Sequence, residues 1–449
     1  MSGPKWSGTK ISPVRASSRS QNGCRSEKWK GEGKMRSKFT RREVLKTGLK
    51  AGVLALGAPA ILSYGQGDQP IKIGFIDPLT GTYAIQGDSE VRGAKMAVAE
   101  INAKHGMLSR PVQLAIEDSA ADTGIAAQKA HKLIDQEKVS FLAGSVSSAV
   151  SLAVSQVAHQ ASMIFMCTGG HTDPVTGNQC HWSTFRICTT TYMLANGLAG
   201  ELFNKFGGKW YFLTPDYAFG HTLQAAYAEI LKKLGGTNLG NSLAPLGTTD
   251  FSSYLIKAAS TNPNVLVNLT DGQDRINSMK QAAQFGLFKK FAIGGGLSEL
   301  EVLRATPPTA RAGWTCLEWW WDQPNTPHVK KWVAAYRKAY PDGSYPSART
   351  WFGYAGIHAL ALGVAKAKSV QAVKVARALE GLELPPEVKL QPNKVYFRPG
   401  DHQLMSNEFP GEQLPNGTYP NLFKVDAIKA GEEMALPVSQ TGCKLDYPS

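Results

Sequence analysis

The amino-acid sequence predicts an α/β protein made of two similar lobes, each built on a doubly wound parallel sheet. From Ile71 onward, short β-branched runs alternate with helix-length amphipathic stretches, which is the pattern of repeated βαβ units. The series closes near Cys167 and a second one follows it. The 449 residues, 43 % apolar and 19 % charged, suffice for two cores rather than one.

In order, Ile71 to Ile76 reads as the first strand. Gly87 to Ala103 reads as the helix that follows, with Val91, Ala94, Met96, Val98 and Ile101 on its apolar side. Val112 to Glu117 makes a second strand, Ile125 to Gln136 a helix, Val139 to Gly144 a third strand, Ser148 to Gln160 a helix, and Met163 to Cys167 the closing strand. The second series runs through helix Tyr192 to Phe206, strand Lys209 to Thr214 and helix Gly220 to Leu234. Helix Phe251 to Ser260, strand Val265 to Leu269, helix Arg275 to Phe285 and strand Phe291 to Ile293 complete it. Past Trp314, helices over Val329 to Ala339 and Trp351 to Ala367 precede a Pro-rich stretch from Leu384.

A bilobed α/β protein places its ligand at the carboxyl ends of strands, between the lobes. The loops at those ends are therefore the candidate site. Asp77 to Gly87 follows the first strand with two glycines and polar groups, although a plain strand-to-helix turn explains it equally. Gly144-Ser145-Val146-Ser147-Ser148 follows the third; small residues at a helix start let backbone N–H groups and the helix dipole meet a carboxylate, while a simple Ser cap is the bland reading. The glycines of Thr168-Gly169-Gly170-His171 permit a close ligand contact, and His171 reads as a hydrogen-bonding residue, not a catalyst. In the second series, Asp216 and Asp271 each stand at a helix start, as caps or as acceptors for a ligand's cationic or hydroxyl group. Three adjacent tryptophans, Trp319 to Trp321, cannot all be core on one strand, so at least one should face the cleft or the hinge.

The net charge of +14 would raise nucleic acid as a partner, but residues 1–60 hold 14 Lys or Arg against three Glu, which leaves only +3 for the rest. That front has the layout of an export signal. Thr40-Arg41-Arg42-Glu43-Val44-Leu45-Lys46 is a twin-arginine sequence; an apolar run, Ala51 to Leu62, follows, and Ala58-Pro59-Ala60 suits a signal peptidase. Cleavage is expected near Ala60 to Gln66, with residues 1–66 as leader and Met35 as a suitable initiator. The run, about 12 residues, falls short of the ~20 that a membrane anchor needs. Of the six cysteines, five follow the leader, at 167, 180, 188, 316 and 443. In an oxidising compartment they predict one or two disulfides and at least one leftover thiol. No metal-ligand spacing is present, and no cofactor is expected.

With those loops in hand, the sequence resembles the periplasmic binding proteins for branched-chain amino acids, amides and urea, from about Ile71 to about residue 425. The resemblance rests on the order of Ile71-Lys72-Ile73-Gly74, Pro78-Leu79-Thr80-Gly81, Glu100-Ile101-Asn102, Phe185-Arg186, Asp216-Tyr217-Ala218-Phe219-Gly220, Asp250-Phe251, Phe285-Gly286-Leu287 and Asp401-His402-Gln403. It implies two Rossmann-like lobes joined by three crossovers, a type I periplasmic-binding fold, with residues 68–187 and 319–395 in the first lobe and 188–318 and 396–449 in the second. By position it also implies that Gln86 lines the cleft, that Ser147, Ser148, Ala149, Gly170 and His171 hold a ligand's carboxylate end, and that Phe219 packs on the ligand. Asp271 and Gly272 fall where amino-acid binders use an aromatic, and Gly295 where they use an acid for the α-ammonium. A carboxylate or amide ligand, with an aromatic one an option in view of Tyr83, Tyr192, Tyr217 and the run Trp319 to Trp321, is then as well supported as an amino acid. Unless Asp216 or Asp271 replaces the missing acid, an ordinary α-amino acid fits poorly. The expected partners are a small molecule, permease subunits of an ABC importer and the twin-arginine export machinery, for a monomer that binds no nucleic acid. A sensory receptor of the same fold is one rival. An enzyme is another, but no Gly-x-Ser-x-Gly elbow, His-Glu-x-x-His or Walker loop is present.

Overall fold

The computed structural model describes residues 69–324 and 326–448; the twin-arginine pair and the cleavage region lie outside them. β1 (Ile71–Asp77) is buried at every position except Lys72, as a strand covered on both faces must be. α1 (Ala84–Ala103) follows, then β2 (Val112–Asp118), α2 (Thr123–Asp135), β3 (Phe141–Gly144), α3 (Ser148–Gln160), β4 (Phe165–Cys167) and β5 (Thr184–Arg186). The five strands form one parallel sheet in the order β2-β1-β3-β4-β5. α1 starts three residues earlier than the periodicity predicts because Gln86 and Gly87 already donate backbone bonds to Tyr83 O. Gln86 therefore rides on the first helical turn rather than in a loop.

The chain then crosses to a second lobe with α4 (Thr191–Phe206), β6 (Lys209–Pro215), α5 (Ala218–Lys233), β7 (Thr237–Ala244), α6 (Ser252–Ser260), β8 (Val265–Asn268), α7 (Gly272–Gln284), β9 (Ala292–Gly294), α8 (Leu300–Ala305) and β10 (Trp314–Leu317). It returns with α9 (Pro327–Ala339), α10 (Ala348–Ala367), α11 (Ala372–Leu379), α12 (Pro386–Lys389) and the hairpin β11 (Tyr396–Phe397) and β12 (Leu404–Met405). β13 (Phe409–Gln413) and β14 (Phe423–Val425) then add antiparallel strands to the second sheet, ordered β14-β13-β10-β9-β8-β6-β7. β7 was not expected: its Thr-Asn-Leu-Gly-Asn-Ser sequence is polar because it is an edge strand, mostly exposed or half-buried.

α9 to α12 pack on the first lobe. α1 and α10 cross so closely that a Cβ on Gly93 would stand 1.8 Å from Thr350 O, and one on Gly353 2.0 Å from Glu90 O. Glycine is what allows the crossing. Trp351 fills the core beneath, and Trp319 joins it there. This corrects the reading of Trp319 as a ligand contact: β10 ends at Leu317, so the tryptophans form a crossover, not a strand. The Trp319 indole, 1 % exposed, donates to Leu390 O at 2.9 Å and packs on Trp332.

The segment 396–449, expected whole in the second lobe, is divided. Phe397 and Leu404 lie in the first lobe's core. The C-terminal tail also ends on that lobe, with Cys443 bonded to Cys180 and Tyr447 donating to Glu380 at 2.8 Å. Cys167, Cys188 and Cys316 are free and buried. Among the described residues no helix is long and apolar enough to cross a membrane.

Candidate functional site

The carboxyl ends of both sheets face one another, and the loops found from sequence meet there. From the first lobe, the Tyr83 hydroxyl shares a hydrogen bond with that of Tyr217 from the second. Gln86, fully buried, donates through Nε2 to both Asp271 oxygens at 2.9 and 3.1 Å and to Glu299 at 3.2 Å. Gly272, at φ +57°, allows this approach. A Cβ there would lie 2.7 Å from Gln86 Oε1 and from Thr82 O, so any side chain would wedge the lobes apart. Thr172 reaches across as well, bonding Ala218 O at 3.3 Å and the Thr222 hydroxyl at 3.0 Å.

Ser147 caps α3 without using its side chain. Its hydroxyl is buried and has no partner among the described residues, while Ser148 Oγ accepts from Thr172 N at 3.2 Å. Ala149, half-buried, stands in the first turn of α3. An unused hydroxyl at a helix N-terminus suits a ligand oxygen. Gly170 is buried, and its carbonyl accepts from Arg186 at 3.2 Å. His171 is committed to Glu318, 2.6 Å away, with Phe219 and Phe352 edge-on to its ring. It is therefore a structural partner of the cleft wall. Tyr192 stands apart, half-buried beside the second lobe's core with the Lys233 ammonium 5.9 Å above its ring. Asp216 is exposed and paired with His221 at 3.0 Å, which leaves Asp271 as the buried acid of the two.

What the sequence did not reveal is the charged layer behind these loops. Arg349, 1 % exposed, contacts Glu299 at 2.5 Å, Glu90 at 3.3 Å and Asp271 at 3.5 Å. Burial lowers the guanidinium's pKa, but the three acids outweigh it and hold it well above its ordinary value. Burial pushes Glu90 up to about 6. Burial, with Glu299 as a like-charged neighbour, pushes Asp271 up to about 7. Burial also raises Glu318, yet His171 and the bonds from Thr189 more than reverse that, leaving it lowered. Glu90, one turn after Gln86, could have been suspected from helical spacing. Glu299 and Arg349 could not, because they arrive from the N-cap of α8 and the first turn of α10.

A pH dependence follows. The folded chain holds protons on Asp271 and Glu90 that the unfolded chain releases above about pH 4. The folded state thus binds more protons between there and about 7, and stability falls as pH rises through that window. Urea unfolding of unliganded protein should show a higher midpoint at pH 5 than at pH 7.5, with the difference reduced in Asp271→Asn. A midpoint that rises with pH would refute the neutral carboxyls.

Two doubly wound lobes, three crossovers and a buried polar layer shared between them define a bilobed solute-binding protein. The chain belongs to the periplasmic binding protein family, whose model matches residues 70–412. It is 29 % identical over 358 residues to the Leu/Ile/Val-binding protein homolog 7 of Brucella melitensis, covering 74 % of this chain and 85 % of that one. A periplasmic binding protein of Burkholderia mallei superposes with a TM-score of 0.78 at 28 % identity, covering 84 % of this chain and 99 % of the other. An amino acid ABC transporter substrate-binding protein of Pseudomonas fluorescens does so with a TM-score of 0.74 at 25 % identity, covering 84 % and 100 %.

Proposed function

We propose that this protein captures a small amino acid, amide or aromatic carboxylate between its lobes and delivers it, unchanged, to the permease subunits of an ABC importer. It is exported through the twin-arginine signal at Arg41 and Arg42, cut near Ala60 to Gln66, and works in the periplasm as a monomer. The moving bodies are residues 69–187 with 319–405, and residues 188–318 with 406–435.

The observation that carries this reading is the bonding of Gln86 on the first lobe to Asp271 and Glu299 on the second. Such polar groups are not buried against each other without a use, because each must otherwise be solvated. Separation of the lobes returns them to water and admits a solute; rejoining buries it. A ligand touching both walls therefore favours the joined form by its extra contacts there.

Small-angle scattering with calorimetry tests this. Among a panel of leucine, urea, acetamide and benzoate, a binder should lower the radius of gyration as it saturates the protein. Saturation with no compaction would refute lobe closure, and Gly272→Val should weaken binding at least tenfold by holding the lobes apart.

A further inference from the structure

Arg275 lies one turn along α7 from Asp271 and is 1 % exposed. Its Nη1 donates to Asn268 O, the last residue of β8, at 2.5 Å. Its Nε and Nη2 have no partner among the described residues. The guanidinium sits at the carboxyl edge of the second sheet. A Cβ on Gly296, just past β9, would stand 3.2 Å from Nη1, and the charge of Arg275 also acts on Tyr227 of α5.

A buried guanidinium with two idle donors is costly, and burial pulls its pKa down to about 10. The charge of Asp271 relieves it in part, but no hydrogen bond joins the two. Asp271 is already engaged by Gln86, by Gly272 N and by Arg349. Nε and Nη2 form the side edge of the guanidinium, the edge that takes both oxygens of a carboxylate at once. An apolar residue would fill the same space without that cost, so the charge needs a purpose other than packing.

Across the cleft, the buried and unpartnered Ser147 hydroxyl at the start of α3 offers a second place for an acidic oxygen. We propose that Arg275 is an anion seat in the second lobe and that the solute carries an acidic group at each end, as a small dicarboxylate or a dicarboxylic amino acid does. This rests on the solute-capture reading above and narrows its ligand class. Closure then joins one carboxylate to each lobe.

The test is calorimetric titration of the purified protein, stripped of carried-over solute, with matched pairs: butyrate and succinate, valerate and glutarate, benzoate and terephthalate, leucine and glutamate. The tightest binder should be a diacid that exceeds its own monoacid partner at least tenfold. Arg275→Gln should erase that preference, and Arg275→Lys should restore part of it. Arg275→Met, which keeps the packing volume, should unfold at or above the wild-type temperature, separating lost binding from lost fold. A monoacid or leucine as the tightest binder, or a diacid preference that survives Arg275→Gln, would overturn the proposal while leaving solute capture intact. Failure of every compound to bind would sink the capture reading and the anion seat with it.

Discussion

Replacing Arg349 by methionine is expected to destabilise the protein by about 3–5 kcal/mol, the range seen when one partner of a buried ion pair is removed. The guanidinium is the only cation within ion-pair distance of Glu90, Asp271 and Glu299 among the described residues. Its removal leaves three carboxyls crowded in a space almost closed to water. Neutralisation offers partial relief, since burial already raises Glu90 and Asp271 toward their protonated forms. The loss should accordingly be larger at pH 8 than at pH 5, and Glu90→Gln with Glu299→Gln should recover part of it. Urea denaturation measures all three variants. A loss below about 1 kcal/mol would mean that the cluster is solvated like a surface pair.

The second large effect is expected at the tail. Cys443→Ser should cost about 2–5 kcal/mol, because the bond to Cys180 closes a loop spanning 263 residues and restrains the unfolded chain throughout that length. It also holds Tyr447 where its ring meets the Arg377 guanidinium at 3.4 Å and its hydroxyl meets Glu380. Thermal unfolding should show a lower midpoint in the variant, and reductant should bring the wild type to the same value. An unchanged midpoint would assign the tail no part in stability.

These two effects differ in how far the sequence announces them. Five cysteines after the export leader expected from the sequence call for at least one disulfide, but which two pair depends on where the tail ends, and no local pattern shows that. The strands of the first sheet are plain because burial on both faces demands unbroken apolar runs such as Ile71 to Ile76. β7 is hidden for the opposite reason: an edge strand needs no such run. The site divides in the same way. Gln86, Ser147, His171 and Asp271 stand in loops or helix starts that follow recognisable strands. Glu90 and Arg349, 259 positions apart, meet only because α1 and α10 cross at Gly93 and Gly353. The sequence places Arg275 as the first residue of a helix; its idle donors appear only once its neighbours are in place.

Glu318 and Gln403 bind the crossovers to one another. Glu318, just past β10, accepts from Thr189 N and Oγ1 at 2.6 and 2.8 Å, and Gln403 donates to Cys188 O at 2.7 Å while accepting from Arg186 at 2.6 Å. Three separate threads would let one half slide or swivel on the other. Laced at these points, they would have to flex together in the proposed closure, like the leaves of a single spring. Each reclosing would therefore return the Gln86 amide to the same face of Asp271, its register set by the crossovers as well as by the contacts across the gap.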